Sequence, residues 1–222
     1  VWRFDPKTAE MAADGETVTC GAGVPLTRLC TFARDRALAG LEFAFGIPGT
    51  AGGAVFMNAG AYGGETAQVL TAAEVLETDG TLHTVDAEKL ALSYRHSALM
   101  ESGGIVTALQ LRLKKGDAAE IAATMQALMA KRREKQPLQF PSAGSFFKRP
   151  AGHFAGALIE QCGLKGFSVG DAAVSEKHAG FVVNKGNATA TEVRCLSDAV
   201  IERVREQTGV TLTPEVRFVG EF

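Results

Sequence analysis

The sequence predicts an α+β protein built in two parts, and three observations carry that reading. Two-residue alternation at Thr17-Val18-Thr19-Cys20 and on both sides of Asp79-Gly80 marks strands of an antiparallel sheet. Apolar residues at helical spacing, punctuated by caps and glycines, mark separate helices in both halves of the chain. A charged turn, Lys114-Lys115-Gly116-Asp117, breaks the pattern midway and sets the expected division into residues 1–114 and 117–222.

The elements follow in order. Val1-Trp2-Arg3-Phe4 reads like the interior of a strand, and because Val1 is not an initiator Met the chain is expected to be a fragment. The strand at 17–20 leads into a helix marked by Leu26, Leu29, Cys30 and Ala33, which runs until Gly40. Residues 46–64 form a glycine-rich, loop-like segment. Residues 69–78 and 81–85 flank Asp79-Gly80 as a hairpin, 86–90 form a short capped turn, 93–97 a polar loop and 105–113 another strand. In the second part Ile121, Met125, Leu128 and Met129 mark a helix ending in Lys131-Arg132-Arg133, cations suited to a helix C-terminus, and Pro137 and Pro141 stop it. Residues 141–148 read as a polar turn, 155–162 as a short helix closed by Gly163, and 181–184 as an apolar strand. Thr189 with Glu192 forms a capping box, followed by Val193, Leu196, Val200 and Val204 on one face and Gly209 as the stop. Residues 215–219 alternate again and are expected to close the chain as a strand.

Composition narrows the function. At 222 residues with 46% hydrophobic and 22% charged side chains, the chain is a folded globular protein, not a disordered tail, collagen-like rod or coiled coil. The net charge is −2, and no basic stripe gathers beyond Lys131-Arg132-Arg133, so no nucleic-acid partner is expected. Cys20, Cys30, Cys162 and Cys195 lie far apart without a C-x-x-C pair, which favours buried thiols in a reducing cytoplasm over a zinc site or a disulfide framework. No signal peptide is visible and no metal site is expected. The uncharged stretch 43–64 contains Pro48 and seven glycines, which would leave backbone groups unpaired in lipid, so no membrane partner is expected.

Several groups could carry chemistry. Glycines as dense as those of 46–64 let the backbone approach a ligand, and their N–H groups can cradle phosphate or the polar edge of a flat ring; they can equally serve tight turns. The segment is neither a P-loop nor a G-x-G-x-x-G fingerprint. Ser145, between Gly144 and Phe146, could give or take a proton in a dry pocket, or be an ordinary turn serine. Arg95 could meet a carboxylate or phosphate, or be a solvated loop arginine. Glu215 beside Arg217 could act or form an exposed ion pair, and Lys135 and Lys148 could meet a diphosphate or stay solvated.

Taken together, these segments resemble one family. Gly46-Ile47-Pro48-Gly49-Thr50 through Asn58-Ala59-Gly60-Ala61-Tyr62-Gly63-Gly64, then Ser93-Tyr94-Arg95, then Gly144-Ser145-Phe146-Phe147-Lys148, then Ser175-Glu176-Lys177-His178-Ala179-Gly180-Phe181, then Pro214-Glu215-Val216-Arg217 stand in the order found in the flavin-dependent UDP-N-acetylenolpyruvoylglucosamine reductases, MurB, of the shorter type. The resemblance covers nearly the whole chain. It implies the later part of an FAD-binding domain of the vanillyl-alcohol-oxidase (PCMH) type, followed by a UDP-sugar substrate domain. It further implies that NADPH reduces FAD, that hydride passes to C3 of UDP-N-acetylglucosamine enolpyruvate, and that an enzyme acid protonates C2 to give UDP-N-acetylmuramate. By the motif match, Ser145 is the proton donor and Arg95 and Glu215 stabilise the enolate-like intermediate. Gly46, Ile47, Pro48, Gly49, Thr50, Gly52, Gly53 and Asn58 are then the cofactor residues, and Tyr94, Lys135 and Lys148 the substrate residues. The family's Gly-Ser-Asn turn for the FAD pyrophosphate has no counterpart after Val1, so that half of the flavin site is expected from a further N-terminal segment. Arg149 stands where many relatives carry Asn. Two other readings stay open: a flavin oxidase of the same superfamily, and a flavin-deficient UDP-sugar-binding module.

Overall fold

The computed structural model describes residues 9–221, and the expected strand at Val1-Trp2-Arg3-Phe4 lies outside them. The chain divides into two compact units, Val1–Lys131 and Arg132–Phe222. In the first, β1 (Met11–Asp14), β2 (Thr17–Gly21), β6 (Leu70–Leu76), β7 (Leu82–Asp86) and β8 (Ile105–Arg112) form one antiparallel sheet in the order β1-β2-β8-β6-β7. Alternation explains its face. Val18 and Cys20 of β2 stand opposite Leu111 and Leu109 of β8, which in turn neighbour Leu70 and Ala73 of β6, and all six are buried. β1 and β7 are the edge strands, and Leu82 and His83 of β7 are exposed.

The buried face is covered by α1 (Leu26–Arg34) and α2 (Ala51–Phe56). Leu26, Leu29, Cys30 and Ala33 make the inward stripe of α1. Here the glycine-rich segment departs from expectation: its middle is not loop but helix, because Thr50 caps α2 by accepting from the Gly53 N–H at 3.3 Å. Three two-residue strands complete the unit, β3 (Leu38–Ala39), β4 (Gly60–Ala61) and β5 (Gly64–Glu65), β4 pairing with β5, and α3 (Leu99–Ser102) precedes β8. After the charged turn, β9 (Lys114–Lys115) pairs back with β3, and Ile121 and Met125 of α4 (Ala118–Lys135) are buried in the first core. The two compact units meet between Lys131 and Arg132, in the last third of α4.

The second unit is a four-stranded antiparallel sheet, β10 (Ser142–Ser145), β13 (Phe181–Asn184), β12 (Ala172–Val174) and β11 (Ser168–Val169) in that order, with α5 (Ala155–Gln161) and α6 (Ala190–Thr208). Thr189 and Glu192 close the capping box, and Leu196, Val200 and Val204 are fully buried along α6. Two expectations are corrected. Residues 142–145 are an edge strand rather than a turn: Ser142 pairs with Val183 and Ser145 with Phe181, and a bulge between them takes up Gly144 at φ 82°. Residues 215–219 alternate but form no strand. The bridge Phe147↔Pro214 and the bond from Glu215 N–H to the Phe146 carbonyl start the segment, and Val216 and Phe218 pack on the core without a ladder.

The cysteines split as well. Cys20 and Cys30 are buried, and burial pushes both thiols up to about 12, whereas Cys162 is half-buried and Cys195 exposed; all four are free thiols. Among the described residues, no helix is long and apolar enough to cross a membrane.

Candidate functional site

In the first unit the glycine-rich segment is held against the β2–α1 connection by main-chain bonds. Leu26 N–H donates to Gly49 O at 3.0 Å, Ala51 N–H to Val24 O at 2.8 Å and Gly52 N–H to Ala22 O at 2.9 Å. The approach at Gly52 is so close that a Cβ there would sit 2.6 Å from the Ala22 Cβ, so this residue is a packing glycine. Ile47 packs on the core, while Gly46 and Gly49 turn the chain in front of α2 and their N–H groups meet no acceptor among the described residues. That leaves two amide donors, at Gly46 and Gly49, separated by Ile47, whose N–H is bonded to Ala44 O, and by Pro48, which has none; such donors can meet the polar edge of a flat ring. In chemistry these two donors fit the polar edge of an FAD ring, and Gly52 and Gly53 lie in α2 directly after them.

Beyond α2 stands the arginine turn. Ser93 and His96 exchange two main-chain bonds of 3.1 Å, and Arg95 between them takes φ 53°, a left-handed conformation that non-glycine residues seldom adopt. Its Nη2 donates to Gly60 O at 3.1 Å, and its guanidinium stands 5.4 Å from the Tyr94 ring centre. Tyr94 and Tyr62 are both about half exposed.

In the second unit, a single main-chain bond brings Glu215 against the residue that follows Ser145. Phe146 donates its N–H to Gly180 O, and its carbonyl accepts the N–H of Glu215 at 2.8 Å, so Ser145 and Glu215 flank one buried phenylalanine. Phe146 meets Phe147 and Phe218 edge to face at 5.1 and 6.4 Å between ring centres, a wall of rings behind the polar pair. Lys148 N–H donates to Thr213 O at 2.8 Å, which fixes the base of its side chain. Lys177 Nζ donates to Arg133 O at 2.7 Å, satisfying a carbonyl in the last turn of α4 a half-turn from Lys135. Beside them His178 accepts the Gly180 N–H on Nδ1 and stacks edge-on with Phe181. Burial lowers its pKa, and the charges of Lys165 and Lys135 push the same way against a backbone hydrogen bond and the charge of Glu160.

The expected residues thus fall in two sets. Gly46, Ile47, Pro48, Gly49, Thr50, Gly52, Gly53, Asn58, Tyr94 and Arg95 belong to the first unit, and Lys135, Ser145, Lys148 and Glu215 to the second. Sequence reading missed Ser97 and Glu65, which are bonded to the segment 56–58. A buried serine two residues after a left-handed arginine leaves no pattern in sequence.

The fold and these two sets define a class: a two-unit α+β protein with an FAD-binding domain of the PCMH type and a separate C-terminal domain. Residues 6–86 match the family described as "FAD binding domain", and residues 136–219 match "UDP-N-acetylenolpyruvoylglucosamine reductase, C-terminal domain". The chain is 57% identical over 205 residues to the UDP-N-acetylenolpyruvoylglucosamine reductase of Agathobacter rectalis, covering 92% of this chain and 65% of that protein. It is 49% identical over 215 residues to the reductase of the same name from Streptococcus pneumoniae strain CGSP14, covering 97% of this chain and 71% of that one. Its fold is similar to the crystal structure of MurB from Thermus caldophilus, with a TM-score of 0.83, 40% identity, and 97% and 76% of the two chains covered. The chain belongs to the UDP-N-acetylenolpyruvoylglucosamine reductase family, and it spans just under two thirds of the Agathobacter relative's length.

Proposed function

We propose that this chain carries the flavin-facing amides and the reacting side chains of an NADPH-dependent, FAD-dependent reductase that converts UDP-N-acetylglucosamine enolpyruvate to UDP-N-acetylmuramate. The setting is the cytoplasm, where the product feeds peptidoglycan synthesis and through it cell shape and division. The observation that supports the reading is the main-chain bond from Glu215 N–H to Phe146 O, which holds Glu215 against the residue that follows Ser145, in a chain 49–57% identical to proteins named for this reaction. Bound FAD would supply the hydride relay from NADPH to the enolpyruvyl C3.

The chain's own residues do the rest. The amides of Gly46 and Gly49 orient the ring system, and Thr50 keeps the segment in place by capping α2. Arg95, a fixed and permanently charged fork, takes the substrate carboxylate and offsets the charge that develops on it as C3 becomes saturated. Ser145 gives its proton to C2, and Glu215, half-buried, stabilises the same intermediate. A serine hydroxyl is a poor acid in water, so the step depends on cationic neighbours and on substrate excluding solvent from an otherwise exposed side chain. Tyr94 covers the substrate, and Lys135 and Lys148 meet the diphosphate of UDP.

A visible absorption spectrum tests this. Protein mixed with FAD and freed of excess should keep a flavin band that NADPH bleaches and enolpyruvyl-UDP-sugar restores; a band that the UDP-sugar leaves bleached overturns the reading. Replacing Ser145 by Ala should keep the NADPH bleaching and slow the restoration by about 10²–10⁴-fold. Unchanged restoration removes Ser145 from the acid role.

A further inference from the structure

Resting on the reading of Arg95 as the carboxylate-binding residue, we infer that Asn58 and Ser97 are positioning residues that lock the arginine turn to the end of α2. The turn and the glycine-rich segment then move as one part. Ser97 is fully buried, and its Oγ donates to the carbonyl of Phe56, the last residue of α2, at 2.7 Å. That carbonyl belongs to the final turn of the helix. Asn58 is 1% exposed and left-handed at φ 42°. Its amide nitrogen donates to Ser93 O at 3.0 Å and to Glu65 Oε2 at 3.2 Å, and its amide oxygen accepts from Ala67 N–H at 2.9 Å. Arg95 Nη2 then reaches Gly60 O at 3.1 Å. Residues 93, 95 and 97 of the turn are therefore each bonded to residues 56, 58 and 60 of the segment that follows α2.

This bracket accounts for two things that local structure does not. An asparagine in the left-handed region after a helix is a common stop, but a stop needs only its backbone. Here the side chain reaches 35 residues along the sequence to Ser93. Both amide hydrogens are spent on protein acceptors, so Asn58 has no donor left for a cofactor, and its part in the site is indirect. The second is Arg95 itself, held at φ 53° where its side chain is disfavoured. A five-residue turn would relax from that state unless its neighbours over-determined it, and the bonds at Ser93 and Ser97 enclose Arg95 on both sides.

The test is a double-mutant cycle on the full-length protein, following Ser97→Ala and Arg95→Ala singly and together, with Asn58→Asp as a second probe of the bracket. Ser97→Ala should raise KM for the enolpyruvyl-UDP-sugar about tenfold while the rate of flavin reduction by NADPH stays within about twofold of wild type. In the Arg95→Ala background the same change should have no further effect on KM, because the bracket acts through that arginine. Asn58→Asp should follow Ser97→Ala in this split wherever it folds, since it keeps the acceptor for Ala67 and loses the donor to Ser93. Unchanged KM in Ser97→Ala, or equal increases in both backgrounds, overturns the inference while leaving the functional reading intact. A wild type without turnover, or an Arg95→Ala variant as active as wild type, overturns the functional reading and the inference together.

Discussion

Arg95 sits in a turn pinned by side chains, whereas Ser145 and Glu215 sit on segments pinned by main chain. In the first unit a buried amide, a buried hydroxyl and the guanidinium itself tie residues 93–97 to 56–60. In the second unit the ties are the β10–β13 ladder and the Glu215-to-Phe146 bond, with apolar rings behind them. The difference predicts different weaknesses. A side-chain bracket fails by deletion of single polar atoms, which leaves a buried partner unsatisfied. A main-chain bracket tolerates most side-chain changes and fails where the core that supports the backbone is removed or where backbone conformation is altered.

The largest expected effect is therefore a core deletion in the second unit. Phe146→Ala empties a site only 2% exposed and should cost about 3–5 kcal/mol. Urea unfolding measures the loss, and hydrogen exchange should show the greatest gain at the amides of β12 and β13. Protection unchanged there would mean that the ladder does not lean on the rings. Next come two glycines that differ in kind. Gly52→Ala drives a Cβ to 2.6 Å from that of Ala22, an overpacking worth about 1–3 kcal/mol, and Ala22→Gly should recover part of it. Gly144→Ala meets nothing within 4 Å but must hold φ 82°, which costs about 1–2 kcal/mol and should be insensitive to any change of neighbour. Equal rescue of both by neighbouring substitutions would erase the distinction between packing and backbone control.

The smallest effect concerns His178. Burial holds its pKa below the ordinary value near 6.5, so the unfolded chain binds a proton at a higher pH than the folded one does. Its contribution to stability is whole above about pH 6.5 and is lost as the pH falls from there through the lowered folded value. His178→Asn, which can still accept the Gly180 N–H, should flatten the fall in urea midpoint between pH 7 and pH 5. A midpoint that falls just as steeply in the variant would assign the acid sensitivity to other groups.

Which parts of this were legible in the sequence follows from how local their causes are. The helix α6 was readable to the residue because the Thr189–Glu192 box, the Leu196, Val200 and Val204 stripe and Gly209 all act within a turn or two. The β6–β7 hairpin was readable from Asp79-Gly80, and all five family motifs from their wording. β10 was misread as a turn because Phe181 and Val183, some forty residues on, make Ser142 and Ser145 a strand. The reverse error befell 215–219, where alternation reflects a packed face without a partner strand. Asn58 was legible as a member of the glycine-rich motif, but its partners at Ser93 and Glu65 exist only after the chain has folded back.

The strand order of the first sheet has a consequence for how the chain is made. β8 stands at the centre, with β2 on one side and β6 on the other, and Thr17 pairs with Arg112. A ribosome adding about 5–20 residues per second therefore needs roughly 5–20 s between the emergence of β2 and that of its partner. Throughout that interval the β1–β2 and β6–β7 hairpins can form, but each offers an open edge with apolar residues on one face. The sheet closes in a single late event governed by the arrival of residues 105–112, the slow, non-local type of folding in which nascent chains depend most on chaperones.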